Sequence, residues 1–378
     1  MFLHLIGADR KFVGPIREMF EAVAPGRHCY VLVGPMEEGF ALPDGVTHAP
    51  GRRELADAIG SRSDWDGIVV NGLAFSTLSS VVDRIPHDVS IAWYVWGFEA
   101  YGYWDGLSTQ LFLPETLRVQ RRLTGPEWKR WLRSVVRRAR RPNRDVPRLL
   151  SRYDYCVTPL REEYELFIAS GLPTTTRFHW GTVGLIESGV GTTDMLHAGD
   201  DFQLGNSASL TNNHLDAFLL LRTLRLESRR VVVPLGYGDP RYRDVVLSAG
   251  REMLGSRFCP LVDFIPLDEY LEIVRSCGHV VMNHCRQQAL GNISASLWRG
   301  ARVYMNETSA YIGLRRLGFD VRRIREDLAI GEGRSLKLGS DQQTSRHRDL
   351  LLEHFGRDKV LRETMDLLER LAGKRGRD

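Results

Sequence analysis

Apolar positions along this chain fall into two alternating rhythms. Short continuous apolar runs, FLHLIG, HCYVLVG, GIVVNG, SIAWYVWG and YDYCVTP, read as strands buried inside a parallel sheet. Between them, VGPIREMFEAV, ELADAIGS, LSSVVDRI and REEYELFIASG carry apolar residues at helical spacing. A second series begins near Asp200: the strand DFQLGNS, the helix HLDAFLLLRTLR, the strand RRVVVPLGYG and the helix DPRYRDVVLSAGREML. It continues with a short strand VDFIP, the helix LDEYLEIVRSC, the strand HVVMN, the helix ISASLWRG and the strand ARVYMN. Strand–helix alternation predicts an α/β fold with parallel sheets. Two series predict two Rossmann-like domains, residues 1–185 and 200–345, joined through the Gly- and Thr-rich stretch 181–199 and followed by a helix and tail, 346–378. Ligands of open α/β sheets lie beyond the C-terminal strand ends, so two facing domains are expected to line one cleft.

Length and composition agree with this division. The chain has 378 residues, 43% hydrophobic and 26% charged, an ordinary globular balance too long for one typical core. No apolar run is long enough to span a bilayer, and the N-terminus lacks the basic-then-apolar order of a signal peptide. The five cysteines include no C-x-x-C pair, which points to reduced core thiols rather than a disulfide framework or zinc site.

Charge is unevenly placed. Residues 117–152 carry 13 Lys/Arg against Glu127 and Asp145, while the whole chain is only +4. Within the basic amphipathic segment 117–148, Trp128, Trp131, Leu132, Val135 and Val136 share one helical face. Arg130, Arg133 and Arg137 fill its flanks with further basic residues. An apolar stripe with Trp bordered by Arg fits a helix lying in an anionic membrane interface; a helix packing that stripe on the protein body is the alternative. Nucleic acid is not expected, because no aromatic-interleaved binding motif is present and the rest of the chain is acidic.

The most informative stretch is His279 to Asn306. Its loop, Arg286-Gln287-Gln288-Ala289-Leu290-Gly291-Asn292, runs from a strand into a helix that also carries Ser294. Helix N-termini present unpaired N–H groups and partial positive charge to phosphate; Gly291 admits close approach and Arg286 offers a planar fork. An ordinary capped helix is the other reading. Four more strand-end loops hold candidate chemistry. The first contains Asp9; the second, Trp96-Gly97-Phe98-Glu99, has a carboxylate suited to a general base or to a helix N-terminal charge. Gly205-Asn206-Ser207 leads to Asn212, Asn213 and His214, and Gly236-Tyr237 offers a ring to stack on a base or sugar. Asp64-Trp65-Asp66 precedes a strand rather than following one, so it reads as a loop. His279 and His284 lack zinc-pair spacing, and His4 and His179 read as packed strand residues.

These stretches together resemble a known family, the Fuc4NAc transferases of enterobacterial common antigen synthesis, family 56 of glycosyltransferases. HLIGAD, WGFEAY, LGNSASLTNNHLDAF, VVVPLGYGDPRY, DEYLEIVRSC and RQQALGNISASLWRGARVYMN carry the resemblance, in the same order as in the family. It implies the GT-B architecture, with the donor in the C-terminal domain, no cofactor and no bound metal. It further implies transfer of Fuc4NAc from a dTDP-sugar to a polyprenyl-diphosphate-linked saccharide, by a peripheral enzyme at the cytoplasmic face of the inner membrane. On that reading Arg286, Gln287, Gln288, Gly291, Asn292 and Ser294 hold the diphosphate. Gly205, Asn206, Ser207, Gly236 and Tyr237 line the donor pocket, and Glu99 or Asp9 serves the acceptor hydroxyl. Three departures stand out: Phe98-Glu99 where the family shows Ala-Asp, Ala289 where it shows a second glycine, and a longer Arg- and Trp-rich segment around residues 119–148. Another donor or acceptor, a sugar-nucleotide epimerase and a non-catalytic membrane-bound scaffold remain open from sequence.

Overall fold

A computed structural model describes all residues except 8–11, 37–40, 126–144, 185–195, 198, 225, 264, 329–337 and 374–378. The chain forms two compact units: unit 1 comprises residues 1–108, 134–185 and 355–378, and unit 2 comprises 109–133 and 186–354. Each holds one parallel sheet.

Unit 1 runs β1 (Phe2–Gly7), α1 (Val13–Val23), β2 (His28–Val33), β3 (Val46–Ala49), α2 (Arg52–Gly60), β4 (Gly67–Asn71), α3 (Phe75–Ser79), β5 (Ile91–Tyr94), α4 (Phe98–Tyr103) and α5 (Asp105–Ser108). The chain then passes into unit 2 for α6 (Pro114–Leu123). It resumes unit 1 with α7 (Val146–Leu150), β6 (Tyr155–Thr158), α8 (Arg161–Ser170) and β7 (Arg177–Trp180). The seven strands lie in the order β3-β2-β1-β4-β5-β6-β7. β1, β4 and β5 are buried along their whole length, which is why their sequences are continuously apolar instead of alternating. α1 buries Val13, Ile16, Met19 and Phe20, one helical face, against the sheet core around Phe2 and Ile6.

Unit 2 contains β8 (Phe202–Leu204), α9 (His214–Thr223), β9 (Val231–Pro234), α10 (Pro240–Leu254), β10 (Phe258–Leu261), α11 (Leu267–Arg275), β11 (His279–Met282), α12 (Leu290–Trp298), β12 (Arg302–Met305), α13 (Ser309–Arg316), β13 (Arg322–Arg323) and α14 (Asp341–Phe355). Its six strands follow the order β10-β9-β8-β11-β12-β13. Asp239 caps α10 by accepting from the Arg241 N–H at 2.9 Å, and Pro240 begins the helix at the position where it costs no hydrogen bond. Val119 of α6 belongs to the core of this unit. Asp216 of α9 holds the start of α6, accepting from Glu115 N (2.9 Å), Thr116 N (3.0 Å) and Thr116 Oγ1 (2.8 Å).

The final helix, α15 (Arg357–Ala372), belongs to unit 1. Val360, Leu367, Leu368 and Leu371 enter that unit's core, and a Cβ placed on Gly67 would stand 2.8 Å from Leu371 Cβ.

Two segments differ from the sequence expectation. The strand expected at VDFIP lies earlier, at Phe258–Leu261. Pro260 disguises it, and is tolerated because β10 is an edge strand with no neighbour on one side. LSSVVDRI is not one helix: α3 ends at Ser79 and a single tight turn covers Val82–Arg84, since consecutive β-branched valines weaken the helix there. The five cysteines are free thiols. The basic stripe with Trp128, Trp131, Arg130, Arg133 and Arg137 lies outside the described residues. No described helix is long and apolar enough to cross a membrane.

Candidate functional site: the strand-end loops

In unit 2 the strand order reverses between β8 and β11: successive strands proceed to β9 and β10 on one side, and to β12 and β13 on the other. A doubly wound sheet opens a crevice beyond the C-terminal strand ends at such a switch point. The loops that border it are Gly205–Asn213 and Asn283–Ala289, the two richest in candidate residues.

Side-chain amides tie these loops together. Asn212 Nδ2 donates to Ser207 O (3.1 Å) and Ser209 O (3.3 Å), while its Oδ1 accepts from Asn206 N at 3.0 Å. The amide orientation is thereby fixed, and His284 Nε2, 2.9 Å from the same Oδ1, must be a donor. Asn213 Nδ2 donates to Asn283 O (3.1 Å), and Asn283 Nδ2 returns a bond to Asn213 O (3.0 Å). Asn306, after β12, donates to Asn283 Oδ1 and His284 O. Burial holds His284 down to about 3, with the Arg286 guanidinium adding to the effect, and holds His214 down to about 3 as well. Both rings are therefore neutral at pH 7. His214 Nε2 is buried without a hydrogen-bond partner beneath Gly205.

The predicted donor residues separate into two groups. Asn206 Nδ2 donates to the Tyr237 hydroxyl (3.0 Å) and Thr211 Oγ1 donates to Gln288 Oε1 (2.7 Å), so the loops after β8, β9 and β11 meet through three of them. Tyr237 is 54% exposed, an unusual state for a large ring. Gly205 and Gly236 have internal reasons to be glycine. Gly205 has φ +67° and would place a Cβ 2.6 Å from Asn212 Oδ1; at Gly236 a Cβ would stand 3.0 Å from Asp263 O. Ser207 is buried and accepts from Asn212, and Ser294 is buried within α12. Arg286, Gln287 and Asn292 are half-buried around the start of α12. Gly291 is exposed and a Cβ there would meet nothing within 4 Å, so no packing within the chain demands a glycine. Ala289, the residue capping α12, adopts a left-handed conformation at φ +57°.

Unit 1 reverses between β1 and β4. These strands end against each other: a Cβ on Gly7 would lie 2.0 Å from Gly72 O, and one on Gly72 would lie 2.8 Å from the Trp96 ring. Asn71, 1% exposed at the end of β4, has neither amide atom hydrogen-bonded. Glu99 is 4% exposed, and its Oε1 accepts from Trp93 Nε1 (3.0 Å) and Trp96 N (2.8 Å). One carboxylate oxygen therefore shapes the turn into α4, in the manner of a helix N-terminal acid. Phe98 beside it is 47% exposed. Asp9 lies outside the described residues.

Sequence reasoning passed over His284, Asn283 and Asn306. Their signal was present as polar residues directly following apolar strands, but a buried partner network cannot be read from one strand at a time.

Several solved structures share this architecture. The chain matches HepE from Anabaena in complex with UDP and glucose at TM-score 0.60 and 13% identity, over 97% of this chain and 99% of that one. It matches sucrose-phosphate synthase from Thermosynechococcus elongatus at TM-score 0.60 and 8% identity, over 99% of both chains. A trehalose-phosphate synthase from Burkholderia vietnamiensis matches at TM-score 0.60 and 12% identity over the full length of both. The chain shares the GT-B fold with them. Residues 193–308, which contain the loops of unit 2, match the model of 4-alpha-L-fucosyltransferase glycosyl transferase group 56.

Proposed function

We propose that this protein is a glycosyltransferase that moves a deoxyamino sugar of the Fuc4NAc type from a dTDP-sugar to a polyprenyl-diphosphate-linked saccharide. The observation that carries the donor half is the meeting of three loops at the unit 2 switch point, where α12 begins beside Arg286. In this reading Arg286, with the first N–H groups of α12, takes the charge that develops on the leaving diphosphate. Gln287, Gln288 and Asn292 complete that cradle, Gly291 leaves it open, and Tyr237 stacks on the base, held by Asn206. Ser294 and Ser207 support the cradle from beneath.

The acceptor half rests on unit 1. Glu99, with Asp9 as the second candidate, positions or deprotonates the acceptor hydroxyl, and the unpaired Asn71 amide offers a further polar contact. The basic segment 117–148 supports docking at an anionic membrane surface where a lipid-linked acceptor resides, on the cytoplasmic side of the inner membrane.

The test is thermal stability with dTDP, UDP, GDP and ADP in turn. A ligand at ~100 times its dissociation constant stabilises by about 2.7 kcal/mol. The expected result is a shift with dTDP that is lost in Arg286→Ala. A shift with another nucleotide alone would overturn the dTDP assignment, and no shift with any would overturn the donor site.

A further inference from the structure

The edge strand β7 and the helix α15 bring together three side chains that the strand-end loops do not use: His179, Glu363 and Asp366. Glu363 and Asp366 are three residues apart on α15 and so share a face. Each of the three can place one ligand atom within 4.8 Å of the other two.

His179 is 5% exposed, and its two ring nitrogens meet different surroundings. Nε2 lies 2.9 Å from the backbone carbonyl of Glu363. A carbonyl only accepts, so Nε2 carries the proton and Nδ1 is left as a lone pair. The group facing Nδ1, at 3.8 Å, is Oδ2 of Asp366, a second acceptor. Oδ2 is already partnered by Arg370, so Nδ1 is the atom left without a donor facing it, and a metal ion or a water beside it would satisfy both. This is also the arrangement of a metal-binding histidine, whose other N–H is anchored on a backbone carbonyl. Asp366 is likewise oriented: Arg370 Nε donates to its Oδ2 at 2.6 Å, leaving Oδ1 open.

We propose that His179 Nδ1, Glu363 and Asp366 form a divalent-cation site, suited to a borderline ion such as Zn²⁺, that clips α15 to β7. One imidazole with two carboxylates matches the nitrogen–oxygen donor sets that zinc accepts, with water completing the tetrahedron. Mg²⁺ and Ca²⁺ prefer oxygen-only shells and bind more weakly here. The Arg370 charge costs affinity, so the site is weaker than one with four protein ligands.

The experiment uses the full-length chain stripped with chelator and titrated with Zn²⁺, Mg²⁺ and Ca²⁺ by calorimetry and thermal melting. The expected result is one Zn²⁺ per chain and a rise in melting temperature of about 5 °C, with a smaller response to the other ions. His179→Gln keeps a donor for the Glu363 carbonyl, and Glu363→Gln alters a partly exposed side chain. Each is expected to weaken Zn²⁺ binding at least about tenfold. Absence of stoichiometric binding overturns the proposal, as does Zn²⁺ binding that is unchanged in both variants.

Discussion

Two neighbouring residues at the start of α12 depart from what their own stability favours. Ala289 sits at φ +57°, where a Cβ costs roughly 1–2 kcal/mol. Ala289→Gly is expected to stabilise the protein by up to about 1 kcal/mol, since the glycine's unfolded-state entropy offsets part of the relief; urea unfolding measures it. Gly291 presents the opposite case, a glycine within a helix at a position open to solvent. Gly291→Ala should gain up to about 1 kcal/mol of stability from helix propensity and weaken nucleotide binding, because the added methyl occupies the approach to the first N–H groups. Higher stability with unchanged nucleotide affinity would remove Gly291 from the donor cradle. Arg286, Gln288, Asn206 and Tyr237 stand out in the sequence as candidates because polar residues there follow directly on apolar strands. The conformation of Ala289 was not, since nothing in its neighbours demands a positive φ.

At the scale of elements, long periodic segments were readable and short edge segments were not. α1 and α9 begin where their apolar spacing places them, because burial of one face and the helical period give the same answer. β3, β7 and β10 are four-residue strands with polar or proline positions; all three lie at sheet edges, where one partner suffices. The attachment of α6 depends on Asp216, whose carboxylate accepts three bonds from the first turn of that helix. Asp216→Ala should therefore cost about 1–2 kcal/mol, read as a lower urea midpoint at unchanged slope. An unaffected midpoint would mean that the contacts around Val119 suffice to hold α6.

Across the whole molecule, buried histidines set the response to acid. Burial holds His214 and His284 down to about 3, and His279 down to about 4 with Arg229 and Arg302 contributing. An unfolded histidine titrates near 6.5. Between those values the unfolded chain binds more protons than the folded one, so stability falls as pH drops from about 6.5 and is flat above it. Each histidine contributes at most about 1.4 kcal/mol per pH unit in that window. Denaturant unfolding at pH 7.5, 6.5 and 5.5 should show little change across the first step and a marked loss across the second. Equal stability at all three values would mean the imidazoles reach solvent. The two-sheet α/β architecture was apparent from the strand–helix alternation. The amide network joining Asn212, Asn213, Asn283 and Asn306 was not, because it exists only once β8, β11 and β12 lie side by side.

The chain enters unit 2 at α6 before unit 1 is complete, and returns to unit 1 at α15 after unit 2 is finished. Cutting the gene between residues 185 and 186 therefore does not yield two self-sufficient pieces. The first fragment loses the leucines at 367, 368 and 371 that close its core; the second loses Val119 and the partner of Asp216. A ribosome that has made the chain as far as residue 185 has likewise not yet made a finished unit, because α15, which closes the core of unit 1, emerges only after unit 2.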